Sequence, residues 1–251
     1  MEVGFKTDKG IRRSNNEDAF FVMKEDRVFI VADGVGGNSS GEIASRTTVN
    51  SVANFVEEHP VEVLKTEDEI RNYFLDCIAD ANRRVRDVAR WHKRNRGMAT
   101  TVVAAFVPYN RENSLYIVNV GDSRAYVLRE NSLEQITEDH TYVNTLVKAG
   151  IITKAEAMER DDKNMITRAI GADDVVEADF FSVEIRKGDI VLICTDGLYS
   201  EVTEPELIAH LTQDKSMSEI CAELVETANL NGGSDNITAI CIRITEEDIY
   251  E

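Results

Sequence analysis

Asp33, Asp122, Asp196 and Asp235 each stand where an apolar run meets a small or turn-forming residue. The runs are Val28 to Ala32 before Asp33-Gly34, Leu115 to Val120 before Gly121-Asp122-Ser123, Ile190 to Cys194 before Thr195-Asp196-Gly197, and Ile237 to Ile244 after Asp235-Asn236. Short apolar runs read as buried strands, so each carboxylate is expected at a strand end on rigid backbone. Carboxylates gathered without cations repel one another and raise one another's pKa, and bound divalent metal is what lets them ionise together. Turn aspartates bonding their own backbone are the plainer reading of any one taken singly. Four in the same setting point to hard cations. If the strands are neighbours, Asp33, Asp196 and Asp235 converge on one cation with Asp33 bridging to a second, and two cations about 4 Å apart would activate a shared water.

The loop Asp33-Gly34-Val35-Gly36-Gly37 drops side chains where backbone must approach a ligand, which leaves the Gly34 carbonyl free to act as an oxygen ligand beside Asp33. A plain tight turn accounts for such a loop equally well. Further upstream, Arg12-Arg13 and Glu17-Asp18 put a basic pair and an acidic pair just before a strand. A guanidinium grips phosphate oxygens bidentately, and Glu17 or Asp18 can order metal-bound water from outside the ligand set. Cys77 and Arg83 match the Cys-x5-Arg spacing of cysteine-dependent phosphatases, but they fall inside a helical apolar stripe with no phosphate-cradling glycine loop. His59, His92 and His210 are expected at the surface, and His140 is expected to make a structural hydrogen bond.

Elements that position these groups are legible from periodicity. Ile43, Val49, Val52, Ala53 and Val56 share one helical face; Ile70, Tyr73, Phe74, Cys77, Ile78, Ala81, Val85 and Val88 share another. Thr203-Glu204-Pro205-Glu206 reads as a capping box opening a helix through Leu211, and another helix should follow Ser216 or Ser218. Strands are expected at Ala19 to Met23, Val28 to Ala32, Thr101 to Val107, Leu115 to Val120, Ala125 to Leu128, Phe180 to Ile185 and Ile190 to Cys194. The connections Lys24 to Arg27, Pro108 to Ser114 and Arg186 to Asp189 are too short for parallel crossovers, so hairpins are expected at all three. The sum is an α+β fold, two stacked antiparallel sheets flanked on both outer faces by antiparallel helices. Residues 141–177, with one short helix around Val143 to Ala149 and the polar run Glu159 to Asn164, read as a flap.

The 251 residues suffice for one domain, 1–251. A net charge of -18, from 46 acidic and 28 basic residues, repels nucleic acid and anionic membranes as general partners. The absence of an apolar leader or of roughly 20 consecutive apolar residues gives the expectation of a cytoplasmic protein. Four cysteines without Cys-x-x-Cys spacing read as buried thiols.

Taken together, these strings resemble the metal-dependent protein phosphatases of type 2C, the PPM family, in its compact bacterial form. The likeness rests on Arg13 with Asn16-Glu17-Asp18, Asp33 through Gly37, Gly97-Met98-Ala99-Thr100-Thr101, Gly121-Asp122-Ser123-Arg124, Asp139-His140, Thr167 through Gly171, Thr195 through Leu198, and Ser234 through Thr238. The resemblance implies hydrolysis of phosphoserine and phosphothreonine in proteins by a metal-bridging hydroxide, without a phosphoenzyme. It implies Mn2+ or Mg2+, two per site and possibly a third, with Asp33, Asp196 and Asp235 on the first metal and Asp33 and the Gly34 carbonyl on the second. Glu17 and Asp18 would act through water, Asp122 with Asp196 would form the third site, and Arg13 would hold the phosphate. The implied partners are phosphorylated proteins, a cognate serine/threonine kinase and its substrates, met by a monomer. Val35 stands where many relatives carry a histidine taken as general acid, Ala99 replaces a common glycine, and the run at Glu159 lacks a frequent His-Pro. A catalytically silent phosphoprotein-binding scaffold and a small-molecule phosphomonoesterase are the alternatives.

Overall fold

The computed structural model of the chain describes residues 1–36, 40–108 and 113–250. The chain opens with β1 (Glu2–Asp8), β2 (Asp18–Met23), β3 (Val28–Val35), α1 (Ser40–Glu58) and α2 (Glu67–Trp91). The middle contains β4 (Ala99–Thr100), β5 (Val102–Phe106), β6 (Ser114–Val120), β7 (Arg124–Arg129), β8 (Ser132–Gln135), α3 (Tyr142–Lys148) and α4 (Lys154–Met158). It closes with β9 (Asp179–Glu184), β10 (Ile190–Cys194), α5 (Asp196–Tyr199), α6 (Glu204–Leu211), α7 (Met217–Asn231) and β11 (Ile237–Arg243).

One sheet runs β1-β11-β10-β7-β8, the other β2-β3-β5-β6-β9 with β4 paired to β3, and every pairing is antiparallel. The apolar runs are continuous because these strands are buried on both faces, with alternate residues entering different layers. In β3, Val28, Ile30 and Ala32 pack beneath α1 and α2 against Val52, Phe74 and Ile78. Phe29 and Val31 face the other sheet, with Val103, Ile117, Val191, Ile193 and Ile240. In β11, Ile237, Ala239 and Cys241 turn outward to α7, meeting Ile220, Leu224 and Ala228. Helix, sheet, sheet, helix is therefore the order of layers, as the periodicities require. All four cysteines are buried and unpaired. Among the described residues no helix is long and apolar enough to cross a membrane.

The expected hairpin over Arg186 to Asp189 does not exist. β9 pairs with β6 at one sheet's edge, whereas β10 lies between β7 and β11 in the other. A short connection excludes a parallel crossover but permits a change of sheet, because stacked sheets lie only about 10 Å apart. Asp189 pins the turn, accepting from the Arg186 N–H at 2.8 Å and from Arg129 Nε and Nη2 at 3.0 and 2.6 Å. The β2–β3 hairpin is as expected, and β5 and β6 pair antiparallel; part of their Pro108 to Ser114 connection, residues 109–112, lies outside the described residues, as does Gly37.

The expected Thr203 capping box with Glu206 opens α6, and of the two candidate serines it is Ser216, with Glu219, that opens α7. The segment 141–177 leaves and rejoins the sandwich through the bridges Thr141↔Ile166 and Thr100↔Ile170. It holds a second helix, α4, opened by the capping box of Thr153 and Glu156, where the sequence reading had only the first.

Candidate active site

The alternation that sends Phe29 and Val31 into the gap between the sheets sends Asp33 there as well, at the end of β3. Asp18 is the residue directly opposite it on β2. From the other sheet, Thr238 shares the parity of Ile240 and Ile242 and reaches across the gap. Its hydroxyl donates to Asp18 Oδ2 at 2.6 Å, and the Thr195 hydroxyl donates to the same oxygen at 2.9 Å. Asp196 follows β10 at the first position of α5, and Asp235 precedes β11. Since β10 and β11 are neighbours, the carboxylates meet at one mouth of the intersheet gap.

Backbone around them is clamped by hydroxyls and one amide. The Asp33 N–H donates to Thr101 Oγ1 at 3.0 Å, and the Asp33 carbonyl accepts from Thr100 Oγ1 at 2.6 Å and Thr101 N at 2.9 Å. Buried Asn236 accepts from the Glu17 N–H at 2.7 Å and donates to the Lys9 and Asn15 carbonyls, both at 2.8 Å. It thereby fastens the loop bearing Arg13 and Glu17 to the start of β11. The sequence reading assigned Asn236, Thr195 and Thr238 no role of their own; their place one to three residues from the aspartates was the available signal.

Burial, and then the neighbouring carboxylates Asp18, Asp196, Asp122 and Asp235, push the Asp33 pKa well up. Burial lifts Asp18 to about 7 against the Thr238 and Thr195 hydrogen bonds, and burial with Asp196 lifts Asp122 to about 7. Burial and then Asp235 raise Asp196. Burial also raises Glu17, opposed by Arg13 and reinforced by Glu42 and Asp235. These groups thus lie in one another's field, the repulsion expected of such a cluster. Asp18 Oδ1 and Asp196 Oδ1 are buried oxygens with no hydrogen-bond partner. As the side chains stand, no three His, Cys, Asp or Glu groups among the described residues are disposed to clasp one ion. Asp235 is instead turned onto Arg13 Nη2 at 2.6 Å. An all-oxygen donor set with two orphaned carboxylate oxygens fits hard divalent cations.

Gly34 lies where its backbone passes against Gly41 and Glu17, and a Cβ there would collide with the Gly41 carbonyl. Gly41 is a site residue that the sequence reading missed. A Cβ on it would stand 2.5 Å from Glu17 Oε2 and 2.6 Å from the Gly34 carbonyl oxygen. The second position of a helix is an unremarkable place for glycine, so only the fold exposes its part.

Asp122 sits in the turn that carries the chain from β6 to β7, and its carbonyl accepts from the Tyr199 hydroxyl at 2.9 Å. Arg124 stacks on the Tyr199 ring at 3.6 Å and grips Asp139 through Nε and Nη2. His140 is structural: its Nδ1 accepts from the Gly121 N–H at 3.0 Å and its Nε2 faces Asp179 Oδ2 at 3.1 Å. Cys77 is core, its thiol pushed up by burial. His59 and His92 are exposed, and His210 is half-buried on Thr227.

This arrangement agrees with what the chain is similar to. The protein phosphatase 2C family model matches residues 9–240. The serine/threonine phosphatase stp of Listeria welshimeri is 37% identical over 245 residues, covering 96% of this chain and 95% of that one. The serine/threonine phosphatase of S. agalactiae superposes with a TM-score of 0.88 at 32% identity, covering 97% of this chain and 99% of the other. The catalytic domain of the phosphatase PstP, solved in complex with 2 manganese ions, gives 0.83 at 31%, covering 97% and 98%. The chain belongs to the protein phosphatase 2C family of metal-dependent protein serine/threonine phosphatases.

Proposed function

We propose that this phosphatase removes phosphate from phosphoserine and phosphothreonine side chains of proteins by direct attack of water on phosphorus, without a phosphoenzyme. The observation that carries this reading is the set of mutually raised carboxylates with two orphaned buried oxygens, Asp18 Oδ1 and Asp196 Oδ1. Asp33, Asp196 and Asp235 would hold one Mn2+ or Mg2+, and Asp33 with the Gly34 carbonyl a second. Asp122 with Asp196 would supply a third site. Bound cations supply an activated water and neutralise charge that develops on the phosphoryl oxygens. Glu17 and Asp18 would order water around such cations, Asp18 being held in place by Thr195 and Thr238. Arg13, now on Asp235 with half its side chain exposed, is free to pivot its guanidinium onto a substrate phosphate. Val35 is exposed and has no proton to give, so the leaving alkoxide takes its proton from water or from another residue of the site.

The reading extends to one catalytic domain over 1–251 with 141–177 as its flap, working as a monomer. Free buried thiols suit a reducing, cytoplasmic compartment, where a serine/threonine kinase and that kinase's targets supply the substrate. A phosphopeptide assay tests it. Turnover should need Mn2+ or Mg2+ and stop with chelator; turnover that is indifferent to both would overturn the reading.

A further inference from the structure

Seven of the chain's 28 basic residues fall between Arg83 and Arg96, against one acidic residue, Asp87, in a protein of net charge -18. Arg83, Arg84, Arg86 and Arg90, on α2, pair with Asp80, Asp87 or Asp174. Lys93, Arg94 and Arg96, just beyond the helix, are exposed and their side chains have no ion-pair or hydrogen-bond partner among the described residues. Between the two groups stands Trp91, the only tryptophan, 84% exposed. Tryptophan and arginine are the residues that carry most binding energy at interfaces, and a tryptophan left in water is a costly apolar surface.

The place of this strip matters as much as its charge. α1 starts at the end of the sheet where β3 delivers Asp33, and α2 returns to that same end. Ser40 Oγ, at the first residue of α1, donates to the Arg94 carbonyl at 3.0 Å. The chain then enters β4, where Ala99 pairs with Val35 and Thr100 with Gly34. Arg96 therefore stands within about 13 Å of the strand that borders the carboxylates, since four extended residues span that distance.

Resting on the phosphatase reading above, we propose that Trp91, Lys93, Arg94 and Arg96 form a docking surface for an acidic polypeptide segment of the substrate, some four or more residues from the phosphorylated side chain. Arg86 and Arg90 already hold a carboxylate of the chain itself, that of Asp174, so the same face takes this chemistry. The strip's attraction reaches only about a Debye length, roughly 8 Å, before the acidic body prevails. It selects short acidic segments seated directly on it and works against long polyanions and anionic membranes.

The single tryptophan makes the test direct. Full-length protein is titrated with an unphosphorylated peptide carrying a run of glutamates, read by Trp91 fluorescence. A saturable blue shift that weakens with added salt is expected. In the Lys93→Gln/Arg94→Gln/Arg96→Gln variant, whose fold is checked by circular dichroism, the affinity should fall on the order of tenfold, three surface charge pairs being lost. Hydrolysis of p-nitrophenyl phosphate should be unchanged. With phosphopeptides, the same variant should lose a similar factor in kcat/KM for a glutamate-flanked substrate through KM, and nothing for a glutamine-flanked one. No fluorescence response to the acidic peptide, an unaltered flank preference in the variant, or a response to phosphatidylserine vesicles but not to the peptide would each overturn the proposal. A protein that binds the acidic peptide yet hydrolyses no phosphoester would refute the phosphatase reading and leave the docking surface standing.

Discussion

Asn236 shows how one buried side chain fastens the pieces of the candidate site together. Its one amide satisfies the Glu17 N–H and two carbonyls from the loop that carries Arg13. Each buried polar group left unpaired costs about 1–3 kcal/mol, so Asn236→Ala should lose roughly 2–4 kcal/mol in urea unfolding and weaken Mn2+ binding. An unchanged midpoint would remove Asn236 from the account. Gly41 sets two effects against each other. Helix propensity alone makes Gly→Ala stabilising by about 1 kcal/mol, but here the new Cβ lands 2.6 Å from a backbone carbonyl that cannot turn away. The clash should win: Gly41→Ala should lower both the melting temperature and Mn2+-supported activity, and a more stable, active variant would contradict the placement of Gly34 and Glu17.

At the scale of elements, the root of the segment 141–177 is a lock with a histidine in it. The His140 carbonyl accepts from the Thr167 N–H at 2.7 Å, and its Nδ1 accepts from the Gly121 N–H. Asp179, Arg168 and Lys148 are the charged groups facing it. Burial holds the His140 pKa below the ordinary value of 6.5 against the pull of Asp179. A folded pKa below the unfolded one means that the stabilisation is complete above about pH 6.5 and is lost as pH falls through the folded value. Asp179, whose own pKa is also held low because hydrogen bonds from His140 and Arg168 outweigh burial, stays charged through that window. Hydrogen-exchange protection factors at Gly121 and Thr167 should therefore hold above about pH 6.5 and drop as the pH falls below it, and should be low and pH-independent in His140→Ala. Constant protection in the native chain would contradict this.

Which elements could be read in advance follows from burial. Runs such as Val28 to Ala32 were legible because a strand packed on both faces needs apolar side chains at every position. The same property hid their partners, since nothing in Phe180 to Ile185 or Ile190 to Cys194 says which sheet each joins, and the hairpin inferred for them was a crossing between layers. β1 escaped notice because it is an edge strand with exposed Phe5 and Lys6, and β8 for the same reason. The aspartates were visible by their position after apolar runs. Gly41 and Asn236 were not recognised as site parts, because their importance lies in contacts with residues far away in the chain.

Over the whole molecule, the excess of negative charge would be a liability for an enzyme that receives phosphate, unless the cations proposed for the carboxylate mouth reverse it there, as the basic residues do along the α2 strip. Cation binding should also feed back on the fold. A ligand at about 100 times its Kd adds about 2.7 kcal/mol, so saturating Mn2+ should raise the melting temperature by roughly 5–10 °C for a chain of this size. The flank preference proposed for the Trp91 strip belongs to this scale too, as a place where the field of the molecule would invite an acidic partner.

The most direct measurement is a calorimetric Mn2+ titration of the native chain and of Asp196→Asn, with phosphopeptide turnover followed in the same samples. Two tightly held ions and rapid turnover are predicted for the native chain; the variant should lose at least one ion and more than about a hundredfold in rate, since even residues that merely support a metal's ligands cost up to that much. An Asp196→Asn protein that keeps both its ions and its turnover would contradict the account.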